Sequence, residues 1–430
     1  MLLEHAETDW LGSKNYFYNT RTNQISDNIN DLIDPSHIDF HPEGLRNYLD
    51  YGFSAFGQTP LIDIKYLRAN ETIRKNIDGQ LVLKKLKDPF EETLGKTSNP
   101  GDTIDYLHHI SNKWADKQTR VILPTSSGFD SRLLNVLLDD KSKIYAFTYG
   151  ISNVQEESIE TVFASELCRK LGINWRMIPL GDYHTFIDYW YSLYGVSTHA
   201  HGMYHMEFYR KIRRIINGGA VLSGIFGDIW AGNWEFDEIT SEKNVNKLFV
   251  THDLSADSFF CKLEEDHSLR EEYYNENKEK LKIPSWRVLL AGRNKIILIS
   301  YLLRMAECNG FSSWSPFLDE TAVAMMLNLD SVERKRRKWQ VDYFRKNGVL
   351  LGEWNLSYTR QNTLDWQAYQ RRPLKNLNTK LLSEYFKIEY LERINEGVKS
   401  TRYDAMWIKN YASWLTLFPI QKLLEIREIK

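Results

Sequence analysis

Between residues 14 and 90 the apolar and polar positions alternate in short runs. "NYFYNTRTNQIS" sets two β-prone pieces around polar residues 19–23. "ETIRKNIDGQLVLKKL" sets two alternating runs around Asp78 and Gly79, a hairpin signal. Between them "PEGLRNYLDYGF" has the spacing of a short amphipathic helix. Residues 88–102, "DPFEETLGKTSNPGD", are polar with Pro and Gly and read as a linker. Beyond them the period changes. A helix around "TIDYLHHISNKWADK" leads into a strand at 120–124, a loop, a helix at 131–138 and the strand "KIYAFTYG". "EESIETVFASELCRKLG" is a helix ended by Gly172, and "NWRMIPL" is a further strand. "GGAVLSGIFGDIWAG" gives a strand at 220–223 and a second Gly-rich loop. Strands alternating with helices predict an α/β fold with a mostly parallel sheet covered on both faces. From about residue 257 to the end the chain reads as helix-rich, without a repeat.

Composition narrows the function classes. With 430 residues, the length suits two domains, or one large domain with an appendage. A formal net charge of -2 argues against a general nucleic-acid binder. Cys168, Cys261 and Cys308 are far apart, so neither a zinc knuckle nor a disulfide framework is expected, and a reducing cytoplasm fits. "MLLEHAETDW" lacks the apolar core of a signal peptide. The longest apolar run, "KIILISYLLRMAEC", is broken by Arg304 and Glu307, so no membrane insertion is expected.

Chemistry concentrates in two loops. Residues 120–138 read "RVILPTSSGFDSRLLNVLL". Ser126, Ser127, Gly128 and Ser131 sit where a strand ends and a helix begins. Backbone N–H groups and the positive helix end make an anion site there, and Gly128 permits close approach. The alternative is an ordinary turn in which Ser and Asp cap a helix. Asp130 suits phosphates only through a bridging divalent cation, and Mg²⁺ bridges through carboxylate oxygens. The second loop, "LSGIFGD", repeats the pattern with Ser223, Gly224, Gly227 and Asp228. Two such loops meeting at a sheet crevice would form a ligand site, with Asp130 and Asp228 sharing one Mg²⁺ or clamping two on a triphosphate.

The first loop resembles the S-G-G-x-D-S pyrophosphate loop of N-type ATP pyrophosphatases. Four ordered segments resemble the synthetase half of the asparagine synthetase family: "TSSGFDSR", "YAFTYGISNVQEESIETVFASELCRKLGINW", "VLSGIFGDIWAG" and "WSPFLDETAVAMMLNL". Upstream, "LRNYLDYGFSAFGQTPLIDIKYLRANETI" resembles the segment joining that family's two halves, so the likeness spans roughly residues 44–366. The resemblance implies a parallel-sheet PP-loop ATP pyrophosphatase domain with a helical C-terminal part, residues 101–430. A small β-rich N-terminal domain, residues 1–100, precedes it as a reduced glutaminase remnant. The implied activity is AMP- and pyrophosphate-forming amide ligation, in which ATP adenylates a carboxylate and a nitrogen nucleophile attacks the acyl-adenylate. By the same resemblance, Ser126, Ser127, Gly128 and Ser131 hold pyrophosphate, Asp130 and Asp228 hold Mg²⁺, and Thr125, Tyr149, Ser223 and Gly224 hold adenosine through the backbone. Lys338, in "ERKRRKWQVDYFRKNG", matches a phosphate-holding lysine, and Arg360, in "YTRQNTLDW", suits the α-phosphate as a fixed cation.

The sequence also departs from that pattern. Leu2 and Leu3 follow Met1 where the glutaminase half has its cysteine, so nitrogen is expected from free ammonia, a separate glutaminase or partner protein, or an amine substrate. Ser127 replaces a loop glycine, and Ile225, Phe226 and Ile229 replace residues of the second loop. Ser312 and Trp314 replace E-x-R before P-F-L-D, and Asn362 replaces a lysine. Aspartate is therefore not the expected substrate. Ile225, Phe226 and Trp230 point either to a less charged acyl partner or to packing. A lasso-peptide-cyclase-like peptide ligase and a non-catalytic nucleotide-binding scaffold are the alternatives that these changes motivate. His201 and His205, four apart in "STHAHGMYHMEFYRK", have metal-ligand spacing without a third ligand nearby; a substrate-facing helix is the competing reading.

Overall fold

The computed structural model describes residues 2–249 and 257–428. In the first part of the chain seven short strands form: β1 Leu2–Leu3, β2 His5–Glu7, β3 Phe17–Asn19, β4 Gln24–Ser26, β5 Ile64–Tyr66, β6 Glu71–Lys75 and β7 Leu81–Lys85. They make two antiparallel sheets, ordered β1-β4-β3-β5 and β2-β6-β7. The hairpin β6–β7 turns at Gly79, whose φ of 76° is the left-handed conformation the turn demands. The amphipathic helix forms at Pro42–Tyr51, with proline in its first turn.

Five later strands build the central sheet: β8 Val121–Pro124, β9 Ile144–Thr148, β10 Asn174–Met177, β11 Ala220–Leu222 and β12 Ser312–Trp314. Their order is β10-β9-β8-β11-β12, and every pairing is parallel. Helices Phe129–Leu137 and Ile159–Leu171 are the crossovers from β8 to β9 and from β9 to β10. Ile122, Leu123, Val221 and Leu222 are fully buried, which is why these strands read as continuous apolar runs rather than alternating ones. Chain order reverses between the neighbours β8 and β11. Their carboxyl ends therefore flank the crevice where open parallel sheets bind ligands.

The expected linker at 88–102 is a packed segment instead. Phe90 is buried with its ring 5.0 Å from that of Trp10, and Arg293 donates to both Asp88 carboxylate oxygens at 2.6 and 2.8 Å. Pro and Gly here mark the start of helix Pro100–Ala115 rather than a free tether. The N-terminal strands also share one apolar core with the C-terminal helix Ala405–Glu428: Phe17, Tyr48 and Phe53 join Trp407, Trp414 and Leu424. Among the described residues no helix is long and apolar enough to cross a membrane. All three cysteines are unpaired.

Candidate nucleotide site

The first loop is braced by its own serines. Ser131 Oγ accepts the Ser126 N–H at 3.0 Å, and Ser126 Oγ accepts the Gly128 N–H at 3.1 Å. These bonds fold residues 126–128 over the start of helix Phe129–Leu137. No side chain caps that helix. Its first N–H groups and the positive end of its dipole face the crevice, the arrangement that favours an anion. Behind the loop, Thr125 Oγ1 accepts from Asn135 Nδ2 at 3.0 Å. Arg132 donates to the Ser127 carbonyl at 2.6 Å, with its guanidinium against the rings of Phe129 and Phe344.

The second loop closes on the first. Ser223 continues from β11 and donates its N–H to the Trp314 carbonyl at 2.8 Å. Phe226, at φ 65°, turns the chain so that the Asp228 N–H donates to Asp130 Oδ2 at 2.9 Å. Gly224 and Gly227 press on Asp130: a methyl group at Gly227 would stand 2.6 Å from its Cγ, and one at Gly224 3.1 Å from its Cβ. Gly227 is thus required by close approach to the Asp130 carboxylate, and Gly224 packs tightly on the same side chain.

That carboxylate is electrostatically loaded. Asp130 Oδ1 is buried and has no hydrogen-bond partner. Burial first, and then the neighbouring Asp228 carboxylate, hold the Asp130 carboxyl well above the ordinary carboxylate range; Arg337 opposes them. Two close carboxylates, one with an unused buried oxygen, are a donor set that fits a hard divalent cation completed by phosphate oxygens. No cluster of three or more His, Cys, Asp and Glu that could hold a metal by itself occurs among the described residues. Mg²⁺ bound with a polyphosphate needs only one or two carboxylates.

These groups face one cavity of 460 Å³, lined on its polar side by Thr125, Ser126, Gly128, Asp130, Ser131, Tyr149, Ser223, Gly224 and Asp228. Ser127 belongs to the loop, but its N–H is taken by the Glu160 carboxylate at 2.6 Å. Glu160, on the cavity wall at the start of helix Ile159–Leu171, is thus an acid bound to a loop amide. No motif in the sequence marks it; the signal is an acid in the first turn of the helix after β9.

The two basic residues expected at the phosphates are not brought to this cavity. Lys338 is exposed and ion-paired with Glu333 at 2.8 Å and Asp342 at 2.9 Å. Arg360 is exposed and donates to the Tyr358 hydroxyl at 2.8 Å. The cation that faces Asp130 is Arg337, one residue earlier, held in the left-handed conformation at φ 58° over the Phe129 ring. Lys295, from helix Pro284–Ile299, is a second cation absent from the sequence reading. It is buried, lies 3.8 Å from the Trp234 ring and feels Asp228; burial lowers its ammonium to about 8.

Opposite the loops the wall is apolar, with Ile229, Trp234, Ile299 and Leu302. Ile225 and Phe226 are buried yet border the cavity. Trp230 is core: its ring is enclosed, stacks on Phe226 at 5.5 Å, and its indole N–H donates to the Phe317 carbonyl at 2.9 Å. His205 borders the same cavity from helix Met203–Ile215; His201 precedes that helix, so the two do not share a helical metal face.

No known family profile matches the chain, and no curated protein does. The structure is similar to an NH3-dependent NAD synthetase from Campylobacter jejuni subsp. jejuni, at 15% identity and a TM-score of 0.25, over 47% of this chain and 96% of that one. It is also similar to a glutamine-dependent NAD+ synthetase from Acinetobacter baumannii in complex with ADP, at 15% identity and a TM-score of 0.26, over 59% of this chain and 52% of that one.

Proposed function

We propose that the chain is a PP-loop ATP-dependent ligase that forms AMP and pyrophosphate while activating a carboxylate for amide formation. One observation carries this reading: an uncapped helix N-terminus and the interlocked pair Asp130 and Asp228 face a single cavity at the sheet's switch point. Loop amides and helix dipole suit a polyphosphate, and the space is of the size, about 300–1,000 Å³, that holds a small organic ligand. Asp130 and Asp228 would hold Mg²⁺, which neutralises charge as pyrophosphate departs.

In this reading the substrate carboxylate oxygen attacks the α-phosphorus, and the bond to the β-phosphate oxygen breaks. A nitrogen lone pair then attacks the acyl carbon, AMP leaves with the bonding pair, and nitrogen loses one proton to solvent. The chain's contribution is position and field. Arg337 and the loop amides face the anionic end. The wall of Ile229, Trp234, Ile299 and Leu302 suits an apolar acyl group and excludes water. In this reading the nitrogen comes from ammonia, a separate glutaminase or an amine.

A non-catalytic nucleotide-binding scaffold is the second reading, favoured by Lys338 and Arg360 both turning away from the cavity. Incubating the chain with Mg-ATP, a series of apolar carboxylic acids, and ammonium or a primary amine as nitrogen donor separates the two. Ligation gives AMP and pyrophosphate in equal amounts, lost in Asp228→Asn. Release of ADP overturns the mechanism, and tight Mg-ATP binding without AMP formation from any acid supports the scaffold.

A further inference from the structure

A second chamber adjoins the nucleotide cavity. It measures 270 Å³ and shares Tyr149 and Ile151 with the first. Tyr149, His199, His201, Tyr204, Asn362, Asp365 and Tyr411 supply its polar lining, which contains neither lysine nor arginine. Its histidines are unusual in their isolation. His199 is only 5% exposed and neither of its ring nitrogens has a hydrogen-bond partner. Nδ1 of His201 is buried and unpartnered too. Burial of unsatisfied ring nitrogens is costly, and groups kept so are usually completed by something bound.

The chamber's electrostatics select the sign of what binds. Burial keeps the imidazoles neutral, with His201 lowered to about 4. Asp365 is the acid on the wall; its Oδ1 accepts from the Tyr183 hydroxyl at 2.6 Å and the Tyr411 hydroxyl at 3.5 Å. Rings surround the space. His201 lies 5.0 Å from His199, 6.2 Å from Tyr204 and 5.2 Å from Tyr301, centroid to centroid. A carboxylate would meet one anion and no cation here. An ammonium group would meet Asp365, neutral imidazole acceptors and aromatic faces, all of which favour positive charge.

Size decides between ammonia and something larger. Ammonia is close to water in size, whose share of liquid volume is about 30 Å³. A chamber of 270 Å³ is far too large to position so small a nucleophile. We propose that this chamber binds the nitrogen nucleophile as a primary amine carried on an organic body, its ammonium directed to Asp365 and the histidines. This rests on the ligase reading above and specifies its second substrate. Tyr149, common to both spaces, is the wall across which amine and activated acyl group meet.

Calorimetric titration of the full chain with three isosteric probes tests the assignment: phenethylamine, 2-phenylethanol and phenylacetate. Phenethylamine is expected to bind at least about tenfold tighter than the other two, and Asp365→Asn to remove that preference. Ala412→Phe, which fills the chamber from the C-terminal helix, is expected to abolish amine binding in a variant whose circular dichroism and melting temperature show it folded. A preference for phenylacetate, no binding of the amine to millimolar concentration, or an Ala412→Phe variant that binds the amine as before would each overturn the proposal. Mg-ATP is titrated in parallel. Loss of Mg-ATP binding in wild type sinks the ligase reading, while amine selectivity blocked by Ala412→Phe still reports on the chamber alone.

Discussion

The backbone N–H of Asp228 donates to the Asp130 carboxylate at 2.9 Å, so two acids 98 residues apart are locked together at the ends of β8 and β11. A carboxylate pair is repulsive by itself. The backbone donor and Arg337 at Asp130, and Asn233 Nδ2 (3.2 Å) and Lys295 at Asp228, relieve it in part, and a divalent cation would complete it.

Burial of Asp130, and then its repulsion by Asp228, make a pH prediction. The folded Asp130 pKa is raised above its unfolded value of 3.8. The folded protein therefore holds the proton more tightly, and this contribution to stability is full below about 3.8 and lost as pH rises toward the folded value. Asp130→Asn removes the ionisation. Its melting temperature at neutral pH, relative to the parent, is expected to rise, and the difference to shrink as pH is lowered toward 4. Mg-ATP binding, followed by calorimetry, is expected to be lost in the same variant.

Gly227→Ala tests the contact between the loops. The new methyl would lie 2.6 Å from Asp130 Cγ and 2.9 Å from the Phe317 ring. Overpacking of this kind costs about 1–3 kcal/mol. A lower denaturation midpoint together with weakened Mg-ATP binding is expected. An unchanged affinity would mean that the position of Asp130 is not held by this glycine.

Arg337 and Lys338 are adjacent but face different surroundings. Arg337→Ala is expected to weaken Mg-ATP binding by about tenfold, the cost of one charge-assisted contact. Lys338→Ala, which breaks only exposed ion pairs with Glu333 and Asp342, is expected to leave it within about twofold. The reverse ranking in a nucleotide titration would restore Lys338 to the role its sequence position suggests.

Buried histidines predict acid lability of the opposite sign to Asp130. Burial depresses His184 and His201 to about 4 and His205 to about 3. Their stabilising contribution is present above about 6.5 and is lost as pH falls from there toward 4. Each costs up to about 1.4 kcal/mol per pH unit in that window. His205→Phe keeps the ring contacts with Tyr301 and Phe208, and its loss of stability between pH 6.5 and 4.5 is expected to be shallower than the parent's in denaturant titrations.

Local pattern determined much of this protein. Continuous apolar runs specified β8, β9 and β11, because strands buried on both faces need no polar alternation. The glycines at 79 and 172 ended a strand and a helix, because a left-handed turn carries its signature in one residue. The turn at 126–131 was legible for the same reason: its serines brace it through contacts two and five residues apart. What the sequence could not supply was everything dependent on contacts between distant segments. The order β10-β9-β8-β11-β12, which brings Asp228 onto Asp130, follows from long-range pairing. Glu160 lines the cavity and Lys295 lies behind it, within reach of the field of Asp228, from helices whose own patterns are ordinary. Lys338 pointed to the phosphates by position in the chain, but two successive left-handed residues, Arg336 and Arg337, rotate the segment so that Arg337 faces Asp130 and Lys338 faces solvent. The histidines at 199, 201 and 205 read as spacing in the sequence, and only the packing of the core set His199 and His201 on the wall of one chamber and His205 on the wall of the other. Spacing along a chain records local geometry; which charges share a cavity is decided by the packing of the whole core.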